Sequence, residues 1–137
     1  MKELTVKAVL ENLEPVQEFV RKELESLDCS PKVIMQIEIA VEEIYVNIAH
    51  YAYNSEIGDA VVRCEIEGEP PQITIQFLDE GVPFDPLEKE DADITLSTEK
   101  REIGGLGILM VKKSMDEVEY FYKDKKNILT IKKNLRA

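Results

Sequence analysis

The sequence predicts an α+β fold, a two-layer sandwich with helices on one face of a mixed, largely antiparallel sheet. Two stretches near the N-terminus repeat apolar residues at three- and four-residue steps, as amphipathic helices do. Several shorter stretches alternate apolar and polar residues, as half-buried strands do. The resulting order, β-α-α-β-β-loop-α-β-β, suits one helical layer laid on one sheet.

Taken in order, "ELTVKAV" (3–9) alternates like a strand. Leu13, Val16, Val20, Leu24 and Leu27 then mark an amphipathic helix over 12–28, with Pro15 tolerable in its first turn. Ser30 is a natural N-cap and Pro31 a natural first residue for a second helix, which runs to about Tyr53. "DAVVRCEIEG" and "PQITIQFLDEG" are β-branched and alternating, and the turn-forming "GEPP" between them predicts a hairpin. Residues 86–103 are charged and hold no period, which in a small domain points to a lid or binding loop. A glycine cluster and the helix "LGILMVKKSM" follow, and "DEVEYFYKD" with "KNILTIKKNL" predicts a second hairpin. No repeat or linker divides the chain, so residues 1–137 read as a single domain.

Composition narrows the function classes. An apolar fraction of 44% and a charged fraction of 33% describe a soluble globular protein. No apolar run approaches the ~20 residues that cross a bilayer, and "MKELTVKAVLENLEP" interrupts any signal-peptide core with charge. Cys29 and Cys64 lack metal spacing and suit a reducing compartment, so a cytoplasmic location without membrane contact is expected. The net charge of −11 argues against direct nucleic-acid binding. That charge is uneven: Lys112–Ala137 carries eight basic and four acidic residues, the rest nine and 24. The acidic body suits either a basic partner surface or simple solubility.

Three stretches carry candidate chemistry. In the second helix Ile34, Ile37, Val41, Ile44 and Ile48 share an apolar face, and Glu43, Asn47, His50 and Asn54 form a polar stripe along its border. A carboxylate there can take a proton and an amide oxygen can ligate Mg²⁺, although a half-exposed surface strip has the same pattern. In "QFLDEGVPFDP", Asp79 ends a strand and is followed by Gly81. This is either an ordinary turn or a fixed carboxylate that accepts a hydrogen bond from a base's amine, Gly81 letting the ligand approach. In "EIGGLGILMVKK", Gly104, Gly105 and Gly107 open a helix, where bare backbone N–H groups form an anion site or glycines form a hinge. Neither the phosphate-loop nor the dinucleotide-fold spacing is present.

Together and in this order, the three stretches resemble the ATPase superfamily of gyrase, heat-shock chaperone and histidine kinase. Within it the chain is most similar to the small bacterial anti-sigma-factor serine/threonine kinases. "EEIYVNIAHYAY" matches the N box, "DEGVPFDP" the G1 box and "GGLGILMVKKSMDEVEY" the G2 box. The resemblance implies ATP and Mg²⁺ as cofactors, with Glu43 as general base and Asn47 as the magnesium ligand. It implies that Asp79 recognises the adenine amino group, with Gly81 giving the base room and Thr130 assisting the aspartate. Gly104, Gly105, Leu106, Gly107 and Ile108 would cradle phosphates under a lid at about 86–103, with Lys100 and Arg101 screening charge. Pro83 stands where the wider superfamily usually has a second glycine, a mark of the small anti-sigma-like branch.

The function so implied is transfer of the ATP γ-phosphoryl group to a serine or threonine of a partner. The partners implied are a sigma factor and an anti-anti-sigma protein, in a possible homodimer. The only histidine, His50, lies inside the N box, which disfavours a self-phosphorylating histidine kinase. A non-catalytic ATP-binding regulatory module of the same fold is the alternative.

Overall fold

The computed structural model describes residues 1–53, 56–87 and 105–136. Asn54, the loop from 88 to 103, Lys100, Arg101 and Gly104 lie outside the described residues. Strand β1 spans Lys2–Lys7, helix α1 Leu13–Glu25, helix α2 Pro31–Tyr51, strand β2 Asp59–Glu67 and strand β3 Gln72–Asp79. Helix α3 spans Gly105–Ser114, followed by β4 Glu117–Lys123 and β5 Lys126–Asn134. A 3-10 turn at Leu10–Asn12 links β1 to α1.

Among the described residues, five strands form one sheet in the order β1-β2-β3-β5-β4. Every pairing is antiparallel, so the sheet is not the mixed one expected. The reason is topological: β2–β3 and β4–β5 are hairpins, β1 reaches β2 through α1 and α2, and β3 reaches β5 through α3 and β4, each path returning the chain in the opposite direction. β5, last in chain order, slots between β3 and β4.

The core lies between the sheet and the helices. Ala60, Val62 and Cys64 on β2, Ile73, Ile75 and Phe77 on β3, and Leu129 and Ile131 on β5 are buried at alternate positions, as a one-sided sheet requires. Val16, Val20 and Leu24 of α1 meet them, with Val33, Ile37, Ala40, Val41, Ile44 and Tyr45 of α2. The α2 stripe is thus close to the expected one, with Val33 buried in place of Ile34. The outer face of the sheet carries polar pairs, among them Arg63–Glu3 at 2.7 Å and Lys132–Glu117 at 3.4 Å.

Local chemistry sets the ends of the helices. Ser30 Oγ accepts from the Val33 N–H at 3.2 Å, and Pro31 occupies a position whose missing N–H costs nothing. At the far end of α3, Lys133 Nζ donates to the Ser114 carbonyl at 2.7 Å and brings positive charge to the helix's negative pole. Tyr45 is fully buried, and its hydroxyl lies 2.7 Å from the Val9 carbonyl and 3.0 Å from that of Lys7. It therefore pins the chain leaving β1 to the middle of α2.

Tyr45→Phe keeps the ring but removes the hydroxyl that ties α2 to this turn, while the Val9 carbonyl keeps the Asn12 N–H and the Lys7 carbonyl keeps the Val9 N–H and Asn12 Nδ2. The expected loss is about 1–2 kcal/mol, seen in urea denaturation as a lower midpoint with an unchanged slope.

Candidate functional site

The C-terminal half of α2 and the end of β3 are held together by backbone. The Val82 N–H donates to the Ala52 carbonyl at 2.9 Å. The Tyr53 hydroxyl donates to the Asp59 carbonyl at 2.7 Å and accepts from the Glu80 N–H at 2.8 Å. Gly81 sits so close to α2 that a methyl placed on it would lie 2.0 Å from the Ala52 oxygen. The space a Cβ would take on Gly81 is filled by the Ala52 carbonyl, so the glycine is needed for the close approach of helix and strand.

Beside this join lies a cleft with about 440 Å³ of empty space, part of it open to solvent. Ile44, Asn47, Ile48, Tyr51 and Ala52 wall it from α2, and Phe77 and Asp79 from β3. Val82, Phe84 and Pro86 line it from the following turn, and Ile108 from α3. Tyr120, Asn127 and Leu129 complete it from the last two strands. The lining is mostly apolar with a few convergent polar groups, the usual make-up of a small-molecule site. The rings of Tyr51 and Phe84 stand 6.1 Å apart at one wall.

Asp79 is buried at the cleft, only 7% exposed. Its Oδ1 accepts from the Gly81 N–H and from Asn127 Nδ2, each at 2.9 Å. Burial pushes the Asp79 carboxyl above its ordinary value, and the hydrogen bonds from Asn127 and Gly81 pull it back. Asn127 also donates to the Val82 carbonyl at 2.9 Å, while its Oδ1 accepts from the Phe84 N–H at 3.1 Å and from the Tyr120 hydroxyl.

Asn47 lines the cleft, and Glu43 stands one helical turn before it on α2. Glu43 meets the start of α3: a methyl on Gly107 would lie 1.8 Å from Glu43 Oε2. Gly107 is thus the place where the carboxylate helix and the glycine-rich helix touch. Ile108, the next residue, lines the cleft, and Gly105 and Leu106 form the first turn of α3. Burial raises the Glu43 carboxyl above its ordinary value, with the neighbouring Glu42 charge adding to the shift. Among the described residues no group of three or more His, Cys, Asp or Glu side chains is placed to hold a metal ion.

Two residues change places relative to the sequence reading. Thr130 pairs with Gln76 across β5 and β3, on the opposite face of the sheet from Asp79, and its Oγ1 accepts from Gln76 Nε2 at 3.4 Å. The physical reason is the period of two along a strand, which turns alternate side chains to opposite faces. The residue that faces Asp79 is Asn127, its register partner. Nothing in "KNILTIKKNL" singled it out, although an asparagine at the head of an apolar strand is a residue that needs partners once buried.

Fold and site together define an α+β sandwich with a mostly apolar cleft walled by α2, the end of β3 and the start of α3. A family model for the histidine kinase-like ATPase domain matches residues 6–133, and the chain belongs to that family. It is similar to an anti-sigma F factor of Thermoanaerobacter sp. (strain X514), 30% identical over 93 residues. That match covers 68% of this chain and 64% of the relative, so it spans just under two thirds of the relative's length. A serine-protein kinase RsbW of Listeria monocytogenes is 26% identical over 107 residues, covering 75% of this chain and 68% of the relative. Among solved structures, the RsbU and RsbW domains of a Mycobacterium tuberculosis protein share the fold with a TM-score of 0.65 at 14% identity. That likeness covers 98% of this chain and 33% of the other.

The two close-packed glycines are expected to respond differently to a methyl. Gly81→Ala drives a Cβ into backbone that cannot move aside and should cost about 1–3 kcal/mol. Gly107→Ala meets the end of a side chain that can turn away and should cost less, a difference measurable by chemical denaturation. The raised Glu43 carboxyl gives a second test. A fold that holds the protonated form better than the ionised one loses stability as pH rises above the unfolded-state value. Glu43→Gln should therefore melt at a higher temperature than the parent at pH 7, and the gain should fade as pH falls through the ordinary carboxylate range.

Proposed function

We propose that the chain is an ATP-dependent serine/threonine protein kinase acting as an anti-sigma factor, which binds a sigma factor and phosphorylates an anti-anti-sigma protein. The observation that carries the nucleotide reading is Asp79, a buried carboxylate at the floor of an apolar cleft that holds a hydrogen-bond acceptor toward a base's amine. The names of the similar proteins, anti-sigma F factor and serine-protein kinase, support the regulatory reading.

On this reading the adenine lies between Ile48, Phe77 and Leu129, and its phosphates run toward the N-terminus of α3. The backbone N–H groups of Gly104, Gly105, Leu106, Gly107 and Ile108 and the helix dipole offset phosphate charge there. Asn47 offers one hard oxygen on the phosphate side, which suits Mg²⁺, an ion that takes few protein ligands and shares the triphosphate. Bound Mg²⁺ would neutralise charge that an acidic protein cannot otherwise tolerate. Glu43, one turn from Asn47, takes the proton of the attacking hydroxyl as its oxygen bonds to the γ-phosphorus. The bond to the β–γ bridging oxygen breaks, and ADP leaves with the electron pair. The raised Glu43 carboxyl makes it a better proton acceptor than an exposed glutamate. The resemblance adds Lys100 and Arg101 as residues that would screen phosphate charge, and a cytoplasmic location for the protein.

The deciding experiment combines nucleotide titration with phosphoryl transfer to an anti-anti-sigma protein of the same source. Glu43→Ala should reduce transfer at least about a hundredfold while leaving the ATP-Mg²⁺ affinity within a few-fold of the parent. Equal loss of both would remove Glu43 from the role of base. ATP binding without transfer in the parent would leave a regulatory binding module.

A further inference from the structure

Gly107 leaves a notch on α3, and the notch is filled. A Cβ built on this residue would lie 1.8 Å from Glu43 Oε2, 2.1 Å from its Cδ and 2.7 Å from Oε1. Non-bonded carbon atoms settle at roughly 3.5–4.0 Å. The whole Glu43 carboxylate therefore occupies the space that a side chain at position 107 would need. Among the described residues no hydrogen bond or ion pair holds that carboxylate. Its place is set by shape alone, a flexible arm resting against bare backbone.

Neither helix is free to yield. Ile108, Val111 and Met115 turn one side of α3 inward, and all three are buried. Ile44 and Tyr45, which follow Glu43 on α2, are buried as well. A methyl on Gly107 thus meets two fixed helices and one movable group, the end of the Glu43 side chain. Clearing the overlap takes a shift of more than about 1 Å. A misplacement of that size can cost a catalytic group about a hundredfold in rate. The backbone N–H of residue 107 is untouched by the same methyl, so contact with a phosphate through that N–H is kept.

We propose that Gly107 is a positioning residue for phosphoryl transfer: its missing side chain is the seat that holds the Glu43 carboxylate against α3, a role separate from any its N–H has toward phosphate. This inference rests on the kinase reading given above and adds to it the residue that aims the base.

The test is a double-substitution cycle on the full chain, read by ATP-Mg²⁺ titration and by single-turnover transfer of labelled phosphate to an anti-anti-sigma protein of the same source. Gly107→Ala should slow transfer at least about tenfold, with ATP-Mg²⁺ affinity within a few-fold of the parent and an unchanged circular dichroism spectrum. In the Glu43→Ala background the notch faces no carboxylate, and the same substitution should slow transfer no further. Losses that multiply would show Gly107 acting through the phosphates or the fold, and would overturn the proposal. A folded Gly107→Ala that transfers at the parent rate would overturn it too. Urea denaturation supplies the same cycle without nucleotide. The added methyl should lower the midpoint more in the parent than in Glu43→Ala, and equal shifts in both would remove the seat. Should Gly107→Ala not fold, Glu43→Asp takes its place, because it draws the carboxylate back from the notch by one methylene. It should lose transfer at least about tenfold with ATP-Mg²⁺ affinity retained, and transfer at the parent rate overturns the proposal. A parent that transfers no phosphate removes the kinase reading and this inference with it. A parent that transfers while the two losses multiply removes this inference alone.

Discussion

The site depends on one backbone contact, the approach of the turn after β3 to the end of α2. The Ala52 carbonyl receives the Val82 N–H at 2.9 Å, and only a residue without a Cβ fits at Gly81 beside it. This contact decides how far Asp79 stands from the polar stripe of α2. It does so through main chain, which has little freedom to adjust once strand and helix are formed. Tyr53 reinforces the join from the other side by bridging Asp59 and Glu80. Side-chain packing elsewhere in the sandwich could change without moving the cleft floor, whereas a change here would move it.

The distribution of charge follows from the same geometry. A protein with a net charge of −11 is a poor host for a polyanion by its overall field. On the proposed reading the favourable potential is local, at the start of α3, where the helix dipole has its positive end. Glu43 is the counterpoint. Its contact with Gly107 sets a carboxylate against that helix start, where burial favours its protonated form. A group held at some cost in its less comfortable state is a common mark of a chemical site, because function and stability ask different things of it.

Much of this was legible in the sequence, for reasons that can be named. Ser30–Pro31 marked the start of α2 because capping chemistry is local, and the alternation of β2 and β3 was legible because one face is apolar and the other polar. Glu43, Asn47 and Asp79 are legible as candidates because a helical stripe and a strand end are one-dimensional patterns. β5 was harder. In "KNILTIKKNL" Ile128, Leu129 and Ile131 occupy both parities, so the pattern does not say which set faces the helices. A shift of one position exchanges the faces, and Thr130 was placed at the site where Asn127 belongs. The close approach at Gly81 was invisible for a different reason: its partner, Ala52, is distant along the chain and carries no chemical signature.

The place of β5 in the sheet has a consequence for biogenesis. Because this strand is last in chain order yet central in the sheet, β3 presents a bare edge to solvent until residues 126–134 have left the ribosome. From the emergence of β3 to that of β5 the nascent domain therefore carries an unpaired strand edge open to wrong partners, and Asn127 and Leu129 join the cleft lining only when β5 pairs. Asn127, which arrives with β5, makes completion of the sheet and anchoring of the Asp79 carboxylate a single event.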